Sequence, residues 1–328
     1  MKAKILVYAL PALILAIIHF AEAQQPAKIA HIGYLSGRAA EERDEAFRRG
    51  LRELGYVEGK NIVIDWRFAE GKADRLPELA AALIHLKLDL IVTGGNEATE
   101  AVKKATGTIP VVTSGSTNPV ESGFVASLSH PGGNVTGLSL DAPGLSGKRL
   151  ELLKESFPMI TRVAVLYYPG TPSLKVTMPE TEEAARLLNV QLQRVGVEAS
   201  DELEKAFSAM SKERAEALVK LPSAVLTSYR KRIVELAAKS RLPAMYEDRV
   251  ITEAGGLMSY GSDITDVYHR SAVFVDKILK GAKPGDLPVE QPIKFEFIIN
   301  LKSAQQIGVT IPPNVLARAD RVIRKRKA

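Results

Sequence analysis

Cysteine is absent from all 328 residues. Its absence removes disulfides, thiolate metal sites, cysteine nucleophiles and a lipidated N-terminal cysteine together. Histidine is scarce, with five in the chain. His19, His31, His85, His130 and His269 are scattered. None has a carboxylate or second histidine at metal-ligand spacing on one helix face, so no metal or other cofactor is expected. No Gly-x-Ser-x-Gly elbow occurs, and Gly256–Gly261 has the wrong spacing for one. Gly55 to Asn61 is one residue short of a phosphate loop and lacks the Ser/Thr after Lys60. No Gly-x-Gly-x-x-Gly follows the first strand. Nothing here announces an enzyme.

What is present is ordinary for a globular protein. Apolar residues make up 46% and charged residues 25%, which excludes a disordered tail, a collagen-like fibre and a polytopic membrane protein. The net charge of +6 is spread thinly except at the C-terminus, so no nucleic-acid partner is implied. The basic end, Arg318 to Lys327, reads as a frayed, solvated tail. The length is about twice the roughly 150 residues of a typical domain, which favours two domains or one bilobal body.

At the N-terminus, Lys2 and Lys4 precede an apolar run from Ile5 to Phe20, followed by Ala21-Glu22-Ala23. A positive start, an apolar stretch and small residues at the cleavage positions form an export signal. The run falls short of the roughly 20 residues that a spanning helix needs, and Pro11 interrupts it. Cleavage after Ala23 and a periplasmic destination are therefore expected.

From Lys28 onward strands and helices alternate. Ile29, Ile32 and Leu35 begin a buried strand. Phe47, Leu51 and Leu54 then share one helix face. Asn61–Trp66, Leu88–Val92 and Ile109–Val112 read as further strands, with helices over Leu76–Ile84 and Asn96–Ala105 between them. Short continuous apolar strands separated by helices predict a parallel sheet covered on both faces. After a break at Asp141–Gly144 the pattern restarts, with strands at Val163–Tyr167, Val190–Val195, Ala217–Val219, Ala224–Leu226 and Ala244–Tyr246. Two such α/β units predict two doubly wound lobes facing a cleft, with ligands outside the carboxyl ends of the strands.

Three loops at those strand ends are small and polar. They supply Ser36, then Thr93, Gly94 and Gly95, then Ser114, Gly115, Ser116 and Asn118. Such loops present N–H groups and hydroxyls suited to a ligand carboxylate, although the same residues are also good turn formers. Tyr168, Tyr246 and Tyr260 stand at matching places in the second half. Each offers a flat apolar face with a hydroxyl, or else packs at the edge of the core. Glu247, Asp248 and Asp263 lie nearby in sequence, where they either meet a ligand ammonium or pair with Arg249.

Several stretches carry a family likeness: Lys28–Leu35, Pro131–Gly137, Ala254–Gly261, Asp276–Pro284 and Leu287–Pro292, then Phe295, Asn300–Lys302 and Ile311–Pro313. In this order they resemble the exported substrate-binding proteins of ABC transporters, in the family whose characterised members include tryptophan and tyrosine binders. The resemblance implies a type I periplasmic-binding fold, two parallel-sheet lobes joined by three crossovers. It also implies capture of a small ligand, amino acid or small carboxylate, for a permease in the inner membrane. Crossovers are expected at Asp141–Gly144, Ile251–Gly255 and Gly281–Pro292. That divides the chain into a leader (1–23), lobe 1 (24–142 plus about 252–284) and lobe 2 (about 143–251 plus 285–328). The unit is expected to act as a monomer. A sensor subunit for a membrane receptor kinase is the nearest alternative, and an exported α/β hydrolase the next.

Two places depart from the family pattern. Thr117-Asn118-Pro119-Val120 replaces an expected carboxylate with a neutral amide, and Gly95-Asn96-Glu97 stands where small apolar residues are usual. Both fall in the expected pocket.

Overall fold

The computed structural model describes residues 29–324. The expected leader and Lys325–Lys327 lie outside the described residues.

Two sheets organise the molecule. The first contains β1 (Ala30–Ser36), β2 (Ile62–Phe68), β3 (Leu90–Gly94), β4 (Val111–Ser116) and β5 (Val135–Ser139). They run parallel in the order β2-β1-β3-β4-β5. The side chains of β1 alternate between two apolar layers, as the period of two requires. Ile32 and Tyr34 pack with Phe47 and Leu51 of α1 (Glu42–Glu53). Leu35 packs on the other face with Leu76, Leu83 and Val102, from α2 (Leu76–Ile84) and α3 (Asn96–Ala105).

The second sheet contains β6 (Arg162–Tyr167), β7 (Gln191–Gly196), β8 (Ala217–Lys220), β9 (Ala244–Tyr246), β10 (Met258–Ser262), β11 (Phe295–Asn300) and β12 (Arg321–Ile323). Its order is β12-β11-β10-β9-β8-β6-β7, with only the β10–β11 pair antiparallel. The connecting helices are α4 (Leu145–Ser156), α5 (Leu174–Leu187), α6 (Leu203–Lys212), α7 (Ala224–Ser228), α8 (Arg230–Lys239) and α9 (Arg249–Glu253). After β10 comes α10 (Ile264–Leu279), and after β11 come α11 (Leu301–Ile307) and α12 (Pro313–Leu316).

The chain crosses between lobes three times, but the second crossover differs from expectation. β10 pairs with β9 and β11, so Ile251–Gly255 stays inside the second lobe. Gly255, at φ 112°, merely stops α9 and turns the chain into β10. The crossing comes at Ser262–Asp263, where the Asp263 side chain accepts from the N–H groups of Thr265 and Asp266. The helix it caps, α10, packs on α1 and the first sheet. Residues 263–290 thus belong with lobe 1, and the return falls between Glu290, bridged to Leu138, and Phe295.

Two smaller expectations also change. Ala224–Leu226 is helical, because the Ser223 side chain accepts from the Leu226 N–H and caps α7. The basic tail is ordered as far as β12, where Arg321 pairs with Glu253.

Candidate functional site: the interlobe cleft

The carboxyl ends of both sheets face one cleft, which encloses about 660 Å³ of free space, part of it open to solvent. Gly94, Gly95 and Glu97 enter it from the end of β3, and Gly115 and Thr117 from β4. From the second lobe come Thr171 and Ser173 after β6, Ser223 and Ala224 after β8, and Glu247 and Asp248 after β9. Arg149 of α4 and Asp141 line the hinge side, while Leu140, Ile264 and Tyr268 give the cleft apolar surface.

The first-lobe loops are fixed from within. Asn96 Nδ2 donates to the Thr117 carbonyl and Asn96 Oδ1 accepts from the Thr117 N–H, both at 2.7 Å. Its amide also donates to Ser122 Oγ, so Asn96 positions two strand ends and has no donor left for a ligand. Gly95, at φ 96°, brings the lobes together; a Cβ there would stand 3.0 Å from the Ala224 Cβ. Around this point the lobes are in direct contact. Arg43 Nη2 donates to Asp248 Oδ2 at 3.0 Å, Glu41 pairs with Arg230, and the Tyr229 hydroxyl donates to the Gly71 carbonyl.

Buried charge dominates the lining. Arg38 is 1% exposed and holds Asp44 with both terminal nitrogens, while its face, like that of Arg43, lies near the Tyr268 ring. Arg149 is equally buried. Its Nη2 donates to Asp141 Oδ1 at 3.1 Å and its Nε to the Tyr260 carbonyl at 2.8 Å. Arg149 Nη1 has no partner. Glu247 takes the Lys220 ammonium on Oε1, and its Oε2 is also without a partner. Glu97 accepts from Ser223 Oγ at 2.7 Å across the cleft. Burial pushes the carboxyls of Glu97 and Glu247 above the ordinary range, against the opposing pull of Ser223 on the first and Lys220 on the second.

Of the residues expected from sequence, Gly94, Gly95, Gly115, Glu247 and Asp248 line the cleft, while Asp263 pairs with Arg249. The hydroxyls do not. Ser36 Oγ donates to the Gly94 carbonyl, Thr93 pairs with Thr99, and Ser114 Oγ donates to Ser271 on α10. Ser116 Oγ is buried without a partner, and Asn118 sits in a turn at φ 48°. Nor do the tyrosines gather there. Tyr246 is fully buried, its ring filling the space beside Gly256 in the core of its own lobe. Tyr168 folds over Gly170, and Tyr260 packs on Phe295 and Phe297.

The reason lies in the strand period. Ala244 and Tyr246 point to one packed face and Met245 to the other, so the cleft is reached only past the strand end, by Glu247 and Asp248. Arg38, Arg149, Ser223 and Tyr268 carry no such signal; an arginine on a helix face reads as solvated until the fold buries it.

This geometry defines a class: two lobes built on largely parallel sheets, three crossovers and a lined cavity between them, the arrangement of a type I periplasmic-binding fold. The chain belongs to the ABC transporter substrate binding protein family, whose model matches residues 28–323. It is 27% identical over 260 residues to a tyrosine-binding protein of Clostridioides difficile (strain R20291), covering 78% of this chain and 73% of that one. Among solved structures it is similar to a conserved domain protein from Vibrio cholerae O1 biovar El Tor, at 29% identity and TM-score 0.83 over 90% of this chain and 100% of that one. It is also similar to a Streptococcus pneumoniae ABC domain in complex with L-Trp, at 28% identity and TM-score 0.82 over 90% and 99%. The family is one of substrate-binding proteins rather than enzymes. No helix among the described residues is long and apolar enough to cross a membrane.

Proposed function

We propose that the protein is the periplasmic receptor of an ABC importer, capturing an amino acid with an apolar or aromatic side chain and presenting it to an inner-membrane permease. One observation carries this reading. Arg149 Nη1 and Glu247 Oε2 are buried, opposite in charge and unpartnered, and their side chains line the same cavity. A buried polar atom left without a partner is costly, and a zwitterion satisfies both at once, its carboxylate on the arginine and its ammonium on the glutamate. Leu140, Ile264 and the Tyr268 ring supply surface for an apolar body. The tyrosine-binding and L-Trp-bound relatives point to the same ligand class. Lobe closure around the ligand excludes water and gives the permease a distinct form to recognise.

A thermal-shift screen tests it. At about a hundred times Kd a ligand adds about 2.7 kcal/mol to stability, or roughly 5 °C for a chain of this size. L-tryptophan, L-tyrosine or L-phenylalanine should give such a shift. Stabilisation by sugars alone, with no response to amino acids, contradicts the reading.

A further inference from the structure

One charged group in the cleft is not accounted for by the ion pairs around it. Arg149 pairs with Asp141, Lys220 with Glu247, Arg43 with Asp248. Among the described residues Glu97 has no basic partner. Its carboxylate is held by Ser223 Oγ and by the N–H groups of Ala224 and of Glu97 itself. It is 5% exposed and lines the cavity.

A buried carboxyl group paired only with neutral donors resists ionisation in a low-dielectric site, and a cation placed beside it favours its charged form. It also fills the second-lobe donors, the Ser223 hydroxyl and the Ala224 N–H, that would otherwise suit a ligand carboxylate. Both effects act on ligand choice in the same direction. An anionic end is refused at Ser223–Ala224 and directed to Arg149, while a cationic end meets a second carboxylate in the same cavity as Glu247. Lys220, whose field reaches both glutamates, neutralises only one of them.

We propose that Glu97 is the specificity-determining residue of the cleft: it makes an ammonium obligatory on the ligand and fixes the ligand's direction, cationic end toward Glu97 and Glu247, anionic end toward Arg149. This rests on the amino-acid reading of the site. It sets this receptor apart from one that would accept the corresponding carboxylic acid without its amino group.

The test is calorimetric titration of the unaltered protein and of Glu97→Gln with L-tryptophan and with 3-(indol-3-yl)propionate, the same molecule lacking the ammonium. Glutamine keeps an acceptor for Ser223, so the lobe contact survives while the charge goes. The unaltered protein should favour the amino acid strongly. In Glu97→Gln its affinity should fall about 30-fold or more, the usual scale for one partner of a buried charge pair, while the propionate changes little. A general loss of structure would weaken both ligands alike; collapse of their ratio is specific to charge recognition. If tryptophan binds and Glu97→Gln keeps the full preference, the role given to Glu97 is wrong and the amino-acid reading stands. If the unaltered protein binds the propionate as tightly as tryptophan, the obligatory ammonium is refuted at once. Failure of the unaltered protein to bind either compound or any other amino acid overturns both readings.

Discussion

Replacing Arg149 by methionine should lower the unfolding free energy by about 3–5 kcal/mol, the usual consequence of removing one partner of a buried ion pair. Binding of an amino-acid ligand should weaken at least about 100-fold, since the carboxylate then loses a charged donor inside a dry site. The guanidinium ties three things together: Asp141 on the hinge, the Tyr260 carbonyl of β10, and the cavity. Methionine replaces its volume but leaves Asp141, itself 4% exposed, as an uncompensated carboxylate. A second change, Asp141→Asn, separates the two effects. In Arg149→Met/Asp141→Asn much of the stability should return, because no buried charge is left alone, while ligand binding stays weak. Urea unfolding and calorimetric titration of the three proteins check this. A single variant within about 1 kcal/mol of the parent, or one that still binds normally, removes Arg149 from its assigned place.

The second large effect is expected at Gly261. A Cβ there would lie 2.0 Å from the Glu247 carbonyl oxygen and 3.1 Å from its carbon. Both are backbone atoms, so no side chain can swing aside. β10 also pairs with β11 at this residue, opposite Glu296, which prevents the strand from withdrawing without losing its ladder. Gly261→Ala must therefore push β10 away from the β9 end, and Glu247 and Asp248 move with it. A stability loss of about 3 kcal/mol is expected, at the upper end for overpacking, with ligand affinity reduced by more than about tenfold. Gly133→Ala is the control: nothing stands within 4 Å of a Cβ at that position, and it should stay within about 0.5 kcal/mol of the parent. Similar denaturation midpoints for the two variants would show that the β10–Glu247 approach is not close in solution.

The architecture was legible because its signals are local. The apolar runs of β1, β3 and β6, and the small residues that follow the first two, announce a doubly wound sheet and the edge at which a ligand sits. The glycines of those loops do line the cleft, since a backbone at a strand end has nowhere else to face. Side-chain direction was harder to read. Tyr246 and Glu247 are neighbours in sequence, yet one fills the core and the other reaches the cavity, because β9 ends at Tyr246 and Glu247 lies just past the strand end. Arg38 and Arg149 became site residues only when tertiary packing set Arg38 against Asp44 and the Tyr268 ring, and Arg149 against Asp141 and the Tyr260 carbonyl. The crossover at Ser262 was concealed by Gly255, whose turn looks like a break between lobes but serves a short helix inside one. Beyond Gly281 the alternation gives way to a long connection and short elements, and there the family motifs carried more than periodicity did. Glu97 is the instructive middle case. Its place just after β3, at the edge where a ligand was expected, was visible in the sequence, but only its hydrogen bond to Ser223 across the cleft shows what the carboxylate touches.

The most direct measurement is a crystal structure of the protein grown with whichever amino acid gives the largest thermal shift. The density should lie between the lobes, with the ligand carboxylate about 3 Å from Arg149 Nη1 and its ammonium about 3 Å from Glu247 Oε2, on the Glu97 side. A ligand seated outside the cleft, or one lying in it with its carboxylate on Ser223 and its ammonium toward Arg149, would contradict the proposed recognition.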